Sequence, residues 1–545
     1  MKWKNICLRP SSPALWGGLL LGALVLLGCF YNLASYPTIW WDEAIFSETA
    51  ANLVQHGRYA FTEQSPDKLS DLDFRISAGP AVILPVALAY KLFGVGVESG
   101  RLMAGAYLIF TFAALFLATR RLFGAAAGML AVALAFLGTD VLYWGRSVLG
   151  DIPALGLFLF GSWFLLRALD AGETLPLFWG GLFLGLAFDA KEFYGLAFLP
   201  PVVLLVRQHW RTWRRLILPL LAFGLGVSLP IVAYVVFKAV ILGSLAGAIL
   251  HFLQQKKLLC HEFFTPLTIG RVYQESFTHL LSHPLFWMGI LGTVWVWKKE
   301  SCSPGERLWV WNLILWSLVY LTSVYWYRFA LPALFLASPL AAHFLLKGLA
   351  RLAPQGARLP AWLTPGMLAA FFILCYPAVG LEIMGQVLTR QGEADAPYRL
   401  VKYLRDHVPP GCLIETPEYE LAFLDDDLRI HLMPSYFFVE STPQGVVLLN
   451  PRQQAYDFDR VGADFLILGS FGKSVFRQVY PENLVTRGWR RIAQVGYYDI
   501  YISRKCGRKV LDFIERKVAF RRPATLIRPA TKIDATAPVF NTYHH

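Results

Sequence analysis

The sequence predicts a polytopic α-helical membrane protein that ends in a small soluble α/β domain. Three observations point there. Of the 545 residues, 56% are hydrophobic and 16% charged, with a mean hydropathy of +0.47, far too apolar for a water-soluble chain of this length. Apolar runs then recur from residue 14 to about residue 382. From Gln386 onward the composition turns polar and short alternating segments replace the long runs. The formal net charge of +13 does not indicate nucleic acid, because the basic residues sit in short loops between apolar runs and in the C-terminal tail. Seven cysteines without CxxC or Cys/His ligand spacing indicate neither a zinc site nor a disulfide framework, and only Cys412 and Cys506 are candidates for a pair.

Lys2, Lys4 and Arg9 precede the apolar run 14–33. No convincing small-residue cleavage site follows, so this run reads as a retained first span with its basic end in the cytoplasm. A polar stretch follows, carrying Asp42, Glu43, Glu48, Glu63, Asp67, Asp71 and Asp73, in a first outer loop over 34–100. Within it, Asp42 to Gln55 has the mixed pattern of a surface-lying helix. The run Gly79 to Phe93 holds Pro80 and Pro85 and falls short of the roughly 20 residues that cross a bilayer, so it is expected to be interfacial or re-entrant. Parity supports that choice. With 79–93 not crossing, the next span delivers Arg120-Arg121 to the cytoplasm, and three later basic loops fall on the same side: Arg207 to Arg215, Lys298 to Arg307, and Lys347 to Arg358.

The expected spans are 14–33, 101–119, 124–139, 152–168, 175–189, 193–206, 216–238, 284–298, 308–325, 329–346 and 362–382, about eleven in all. An odd number places the C-terminal domain outside, on the side of the Asp42 loop. That domain, 386–505, is expected to hold a helix at Tyr398–His407 and buried strands at Cys412–Thr416, Phe465–Leu468 and Gly496–Ser503. Residues 506–545 form a basic, Pro-containing tail, read as disordered or lying on anionic lipid.

Nearly every conspicuous ionisable residue falls on the outer face. Asp42-Glu43 follows Trp40-Trp41, and the bland role for Asp42 is to cap the helix it begins. Asp140, Arg146 and Asp151 group in the next outer loop, where Asp151 could cap a span with Pro153 in its first turn. Lys191 sits in an outer corner, with snorkelling or a local pair to Asp189 or Glu192 as its bland role, and Arg328 lies in an aromatic stretch where it could be an interfacial anchor. Together these residues set carboxylates and isolated cations around one membrane boundary. Such a set suits sugar transfer from a lipid phosphate, which needs cations for the phosphate and a carboxylate for the acceptor proton. No nucleotide-binding loop is found or needed. Asp71-Leu72-Asp73 mimics a metal-binding DxD but reads as mostly solvated, and Asp425-Asp426-Asp427 reads as a turn. No cofactor is required by these motifs, and a divalent metal ion stays open.

Asp42-Glu43 followed by Ala44 to Tyr59 resembles the opening loop of polyprenyl-phosphate-dependent glycosyltransferases of the GT-C fold, the closest groups being the protein O-mannosyltransferase-like family and the lipid A aminoarabinose transferase. The resemblance continues through Ser77-Ala78-Gly79-Pro80, Lys91 to Gly94 and Arg101, then Arg146 to Pro153, the Lys191 corner, Tyr327-Arg328 and Leu331-Pro332. It implies a GT-C-like catalytic domain over 1–385 and an inverting reaction. Asp42 would be the general base, Glu43 would support it, and Asp151 would line the same cavity. Arg101, Arg146, Lys191 and Arg328 would contact phosphate or loops. The aminoarabinose enzyme has Glu-Lys-Pro before the surface helix where this chain has Gly79-Pro80, and Arg75 is the candidate to take over that contact.

The expected function is therefore transfer of a sugar from a polyprenyl-phosphate donor of the undecaprenyl or dolichyl type. The acceptor would be a lipid, glycan or protein on the extracytoplasmic face of the cell membrane, periplasmic in a Gram-negative cell. The partners expected are donor, acceptor and membrane lipids, with no nucleic acid. The alternative is a transporter or flippase for a lipid-linked sugar, but the charges collect at one face instead of the midplane and no inverted repeat is visible. A binding protein with a degenerate site is a third reading.

Overall fold

The computed structural model describes residues 13–504 apart from 65–67, 265–268, 299–301, 323–325, 353–378, 390–395, 433–437, 443–444, 450–455, 475, 478, 482–483 and 485–486. The chain divides into two compact units. One holds residues up to Tyr59 together with Asp71–Gly392, the other Ala60–Ser70 together with the chain from Glu393.

The first unit is helical. It opens with α1 (Pro13–Phe30), α2 (Trp41–His56), α3 (Pro80–Phe93), α4 (Val97–Phe123), α5 (Ala125–Gly138) and the short α6 (Val141–Gly145). It continues through α7 (Asp151–Ala171), α8 (Thr174–Ala190), α9 (Leu199–His209), α10 (Trp213–Leu242) and α11 (Leu245–Phe264). After α12 (Ile269–Ser282) come α13 (Pro284–Trp297), α14 (Pro304–Thr322) and α15 (Leu331–Leu352). By length and composition, four described stretches can cross a membrane: Val97–Phe123, Asp151–Ala171, Arg214–Leu242 and Tyr327–Gly348. A pair bent by 72°, Glu275–Ser282 with Pro284–Trp297, makes a fifth. Several other apolar helices are shorter, among them α3, α5 and α8.

The apolar window of α10 is 17% buried and that of Tyr327–Gly348 83%, so α10 turns its Leu and Val side chains outward while the start of α15 is central. Without a hydrophobic drive between helices in lipid, close packing needs small residues, and α8 meets α10 through them. A Cβ on Gly181 would strike the Phe223 carbonyl, and one on Gly226 the Phe178 carbonyl.

Two expectations change here. The expected span 193–206 is a 3-10 turn, Glu192–Phe198, followed by the 11-residue α9, because Pro200-Pro201 has no N–H to continue a helix from the preceding turn. The helix beginning at Asp42 does not lie on a surface: Glu43 through Asn52 are all buried. Its mixed pattern arises because Ser47, Glu48, Thr49 and Asn52 are enclosed along with Ala44, Ile45 and Phe46. The last expected span, 362–382, lies almost wholly outside the described residues, and the chain resumes in the helix Val379–Thr389.

The second unit is built on a seven-stranded sheet. Its strands are β1 (Ala60–Gln64), β2 (Lys68–Asp71), β3 (Ile414–Glu415), β4 (Ile430–His431), β7 (Phe465–Leu468), β8 (Trp489–Val495) and β9 (Tyr498–Ser503), in the order β2-β1-β4-β3-β7-β9-β8. A separate hairpin joins β5 (Phe438–Thr442) to β6 (Gly445–Leu449). β3 is parallel to both β4 and β7, while β7–β9, β8–β9 and β1–β4 are antiparallel. The fully buried β7, Phe-Leu-Ile-Leu, reads as a continuous apolar run because both of its faces are covered. The expected domain 386–505 did not include the first-loop strands that complete this sheet. Asp425 accepts from the Asp427 N–H, forming the expected turn. Cys412 is a free thiol, and Cys506 lies outside the described residues.

Candidate functional site: a guanidinium between two carboxylates

Three segments of the helical unit bring the central groups together. Asp42 lies in the first turn of α2, Asp151 is the first residue of α7, and Arg328 sits in the 3-10 turn Tyr327–Ala330 that leads into α15. Neither acid caps its helix: the N-cap positions are Trp40 and Gly150, and neither makes a side-chain cap bond. Both carboxylates turn to Arg328 instead. Its Nη2 is 2.8 Å from Asp42 Oδ2, and its Nε is 4.0 Å from Asp151 Oδ2.

The guanidinium is 2% exposed and held among aromatic rings, with its carbon 5.1 Å from the Trp40 centroid, 5.7 Å from Trp144, 4.6 Å from Trp326 and 5.3 Å from Phe329. Such rings attract a cation through their quadrupoles and fix its plane. Trp144 is itself held, its indole N–H donating to Asp140 at 2.6 Å. Arg328 Nε and Nη1 and Asp151 Oδ1 are buried without a hydrogen-bond partner among the described residues. A desolvated polar group is costly unless paired, so this cluster is poised for a polar ligand group. Asp42 keeps 16% of its side chain exposed and is reachable.

Lys191 occupies the corner after α8, 7% exposed, and makes no ion pair with a described residue. The corner abuts the Asp151 turn so closely that a Cβ on Gly150 would lie 2.5 Å from the Ala190 carbonyl oxygen. Asp189 ties the same corner to α3. Its Oδ2 accepts from Ala81 N–H at 2.8 Å and its carbonyl accepts from Gly79 N–H at 3.1 Å. Gly79 is required there, since a Cβ would overlap the Asp189 carbonyl.

The remaining candidates point at protein groups. Arg101 is fully buried and makes two bonds of 2.7 Å to the Glu43 carboxylate and one of 2.8 Å to the Leu33 carbonyl. Glu43 also accepts from Val148 N–H, joining α2, α4 and the loop before α7. Arg146, likewise buried, gathers the carbonyls of Gly28, Tyr31, Asn32 and Tyr36, a cation closing the C-terminal end of α1. Arg75 pairs with Asp73 at 2.9 Å. Asp73 is buried, whereas Asp71 pairs with Arg58 on the surface and is exposed, so of the two DxD-like acids only Asp71 is solvated as expected. Among the described residues no group of three or more His, Cys, Asp or Glu is placed to hold a metal ion.

The sequence reading missed two features. Trp144 is not recognisable as a wall of the Arg328 site, since its convergence on Arg328 is tertiary, whereas Trp326 belongs to the aromatic stretch around Arg328 itself. Lys238, at the end of an apolar run, is fully buried against Gln255 Oε1 at 2.7 Å and His251 Nδ1 at 3.1 Å, and Gln255 in turn donates to the Ile76 carbonyl. A lysine inside an apolar helix was the available signal.

Comparison with known proteins agrees with this architecture. The model of the dolichyl-phosphate-mannose-protein mannosyltransferase family matches residues 77–237. No match is found by sequence among curated proteins. Among solved structures, ArnT from Cupriavidus metallidurans bound to undecaprenyl phosphate is similar with a TM-score of 0.56 at 16% identity, covering 90% of this chain and 97% of that one. AglB, the archaeal oligosaccharyltransferase from Archaeoglobus fulgidus, in complex with an inhibitory peptide and a dolichol-phosphate, is similar with a TM-score of 0.53 at 11% identity, covering 84% of this chain and 70% of that one. The chain thus has the GT-C glycosyltransferase fold that its sequence resembles, and between residues 77 and 237 it carries the pattern of the dolichyl-phosphate-mannose-protein mannosyltransferase family.

Proposed function

We propose that this protein is an integral membrane glycosyltransferase that moves a sugar from a polyprenyl-phosphate donor to a lipid, glycan or protein acceptor at the extracytoplasmic face. The observation that carries the reading is Arg328, desolvated between Asp42 and Asp151 with two donors unpaired. Undecaprenyl phosphate and dolichol-phosphate in the similar structures support the donor class.

In the proposed reaction the acceptor oxygen attacks the anomeric carbon from the face opposite the phosphate and inverts it. The bond from that carbon to the phosphate oxygen breaks, its electron pair stays on the departing polyprenyl phosphate, and the acceptor proton passes to Asp42. Arg328 and Lys191 would carry the phosphate charge, and Asp151 would orient Arg328 and substrate hydroxyls. Glu43, Arg101 and Arg146 would act by holding the loop that presents Asp42. Arg75 would set the approach to Gly79.

Sidedness has support from the sheet. Because β1 pairs with β4, the first loop and the C-terminal strands lie on one side of the membrane, which calls for an even number of crossings between Asp71 and Glu393. The basic loops support the exterior as that side. Substituting Asp42→Asn tests the base. In a reconstituted assay with a polyprenyl-phosphate sugar, transfer should fall by roughly a hundredfold or more. Unchanged transfer would refute the role of Asp42.

A further inference from the structure

The second unit is not continuous in sequence: its sheet takes in residues 60–70 of the first loop. These residues are integral to it. Gln64 pairs with His431, and Leu432 N–H donates to the Glu63 carbonyl at 2.9 Å. Ala60 and Phe61 are fully buried, and the Phe61 ring lies 5.3 Å from that of Tyr419. The root of the hairpin is pinned on the other side of the chain junction. Arg58 makes two bonds to Asp71, at 3.0 and 2.7 Å, and Leu72 N–H donates to the Tyr59 carbonyl at 2.9 Å.

Only Gly57, Arg58 and Tyr59 separate α2 from β1. Gly57 closes the helix in the left-handed conformation at φ 67°, with its N–H on Asn52, so the junction is a tight turn with little slack. The N-terminal and middle turns of α2 are buried, but Gln55 through Arg58 are exposed. The helix carries Asp42 and Glu43 at its other end, about 24 Å away at 1.5 Å per residue over 16 residues.

We propose that the C-terminal domain is a positioning element for sugar transfer, acting through the first-loop hairpin that completes its sheet: the hairpin anchors the far end of α2 and thereby the placement of Asp42 against Arg328. The link is the chain itself, and Phe61 and the Arg58–Asp71 clasp are its positioning residues. The kinetic part rests on Asp42 being the base. The mechanical part does not.

The test uses the full-length protein in lipid nanodiscs, with hydrogen exchange followed by mass spectrometry alongside transfer kinetics. Phe61→Ala should speed exchange in 60–70 and in the last turns of α2. It should lower kcat by roughly ten- to a hundredfold, the scale of a small misplacement of a reacting group, with the donor KM within about twofold. Phe61→Leu should restore most of both. Arg58→Ala, at an exposed clasp that leaves the sheet intact, should speed exchange in α2 with the β7 and β9 strands still protected, and lower kcat as well. Faster exchange throughout 393–504 with α2 and kcat unchanged would overturn the proposal, as would a loosened α2 with unchanged kcat. Asp42→Asn in the same assay separates the two ideas. Its full activity would sink the base assignment while leaving the exchange result to judge the strap.

Discussion

Removing Arg101 should unseat the start of α2 more than any change in an apolar neighbour, because it strands a buried charge. The Arg101 guanidinium is fully buried and meets both oxygens of Glu43, itself 1% exposed, at 2.7 Å each. Arg101→Met leaves the Glu43 carboxylate with Val148 N–H, at 3.2 Å, as its remaining donor among the described residues. It also frees the Leu33 carbonyl. Breaking one side of a buried pair costs about 3–5 kcal/mol, and an orphaned carbonyl adds about 1 kcal/mol. Glu43→Met should cost a similar amount by stranding Arg101. The double variant Arg101→Met/Glu43→Met removes both charges, so its cost should be well below the sum of the two, with a coupling of about 3 kcal/mol or more. Unfolding free energies in mixed micelles, titrated with denaturing detergent, measure all four corners of the cycle. A single-variant cost under about 1 kcal/mol, or costs that simply add, would refute the claim that this pair is desolvated and mutually dependent.

Gly79→Ala should lower stability by about 1–3 kcal/mol, since the added Cβ meets the Asp189 backbone and the corner leading to Lys191 must move. It should also reduce kcat/KM, and a variant matching the parent in both would show that the corner yields freely. In the C-terminal domain, burial pushes the Glu418 carboxyl up from 4.5 to about 7, opposed by hydrogen bonds from the Gly472 and Gly469 amides and by the Lys473 charge. The fold therefore favours its protonated form, so its contribution to stability is fully present below pH 4.5 and is lost as pH rises through about 7. At roughly 1.4 kcal/mol per pH unit that slope is worth about 3 kcal/mol at most. Glu418→Gln keeps an oxygen for both amides and should flatten the dependence, leaving the domain more stable than the parent above pH 7. Thermal melts across pH 4–8 read this directly, and an unchanged slope in the variant assigns it to another group.

The sequence was most legible where one local rule decides the outcome. Hydropathy alone marks α4, α7 and α10, and β7 announces itself as four apolar residues between turns. Asp42, Asp151 and Arg328 were singled out for lying at one boundary, and they do converge. Partner choice was not legible. Nothing local distinguishes Arg328, which keeps two donors open, from Arg101 and Arg146, whose donors serve Glu43 and backbone carbonyls; all three are arginines next to apolar helices. The expectation of a helix cap at Asp42 failed because a buried guanidinium competes better for a carboxylate than the first-turn amides do. The place of residues 60–70 in the C-terminal sheet was invisible for a different reason, since a strand of five residues carries no mark of a partner so far along the chain.

That distance has a consequence for how the protein is made. Gln64 is synthesised about 370 residues before His431, so at about 5–20 residues per second β1 waits on the order of 20–70 s for β4. Through that interval a nascent strand with Phe61 uncovered stands outside the bilayer while the helices behind it are still being inserted, a surface open to a chaperone and to mispairing with another chain. A strand made late thus retires the hazard created by one made early.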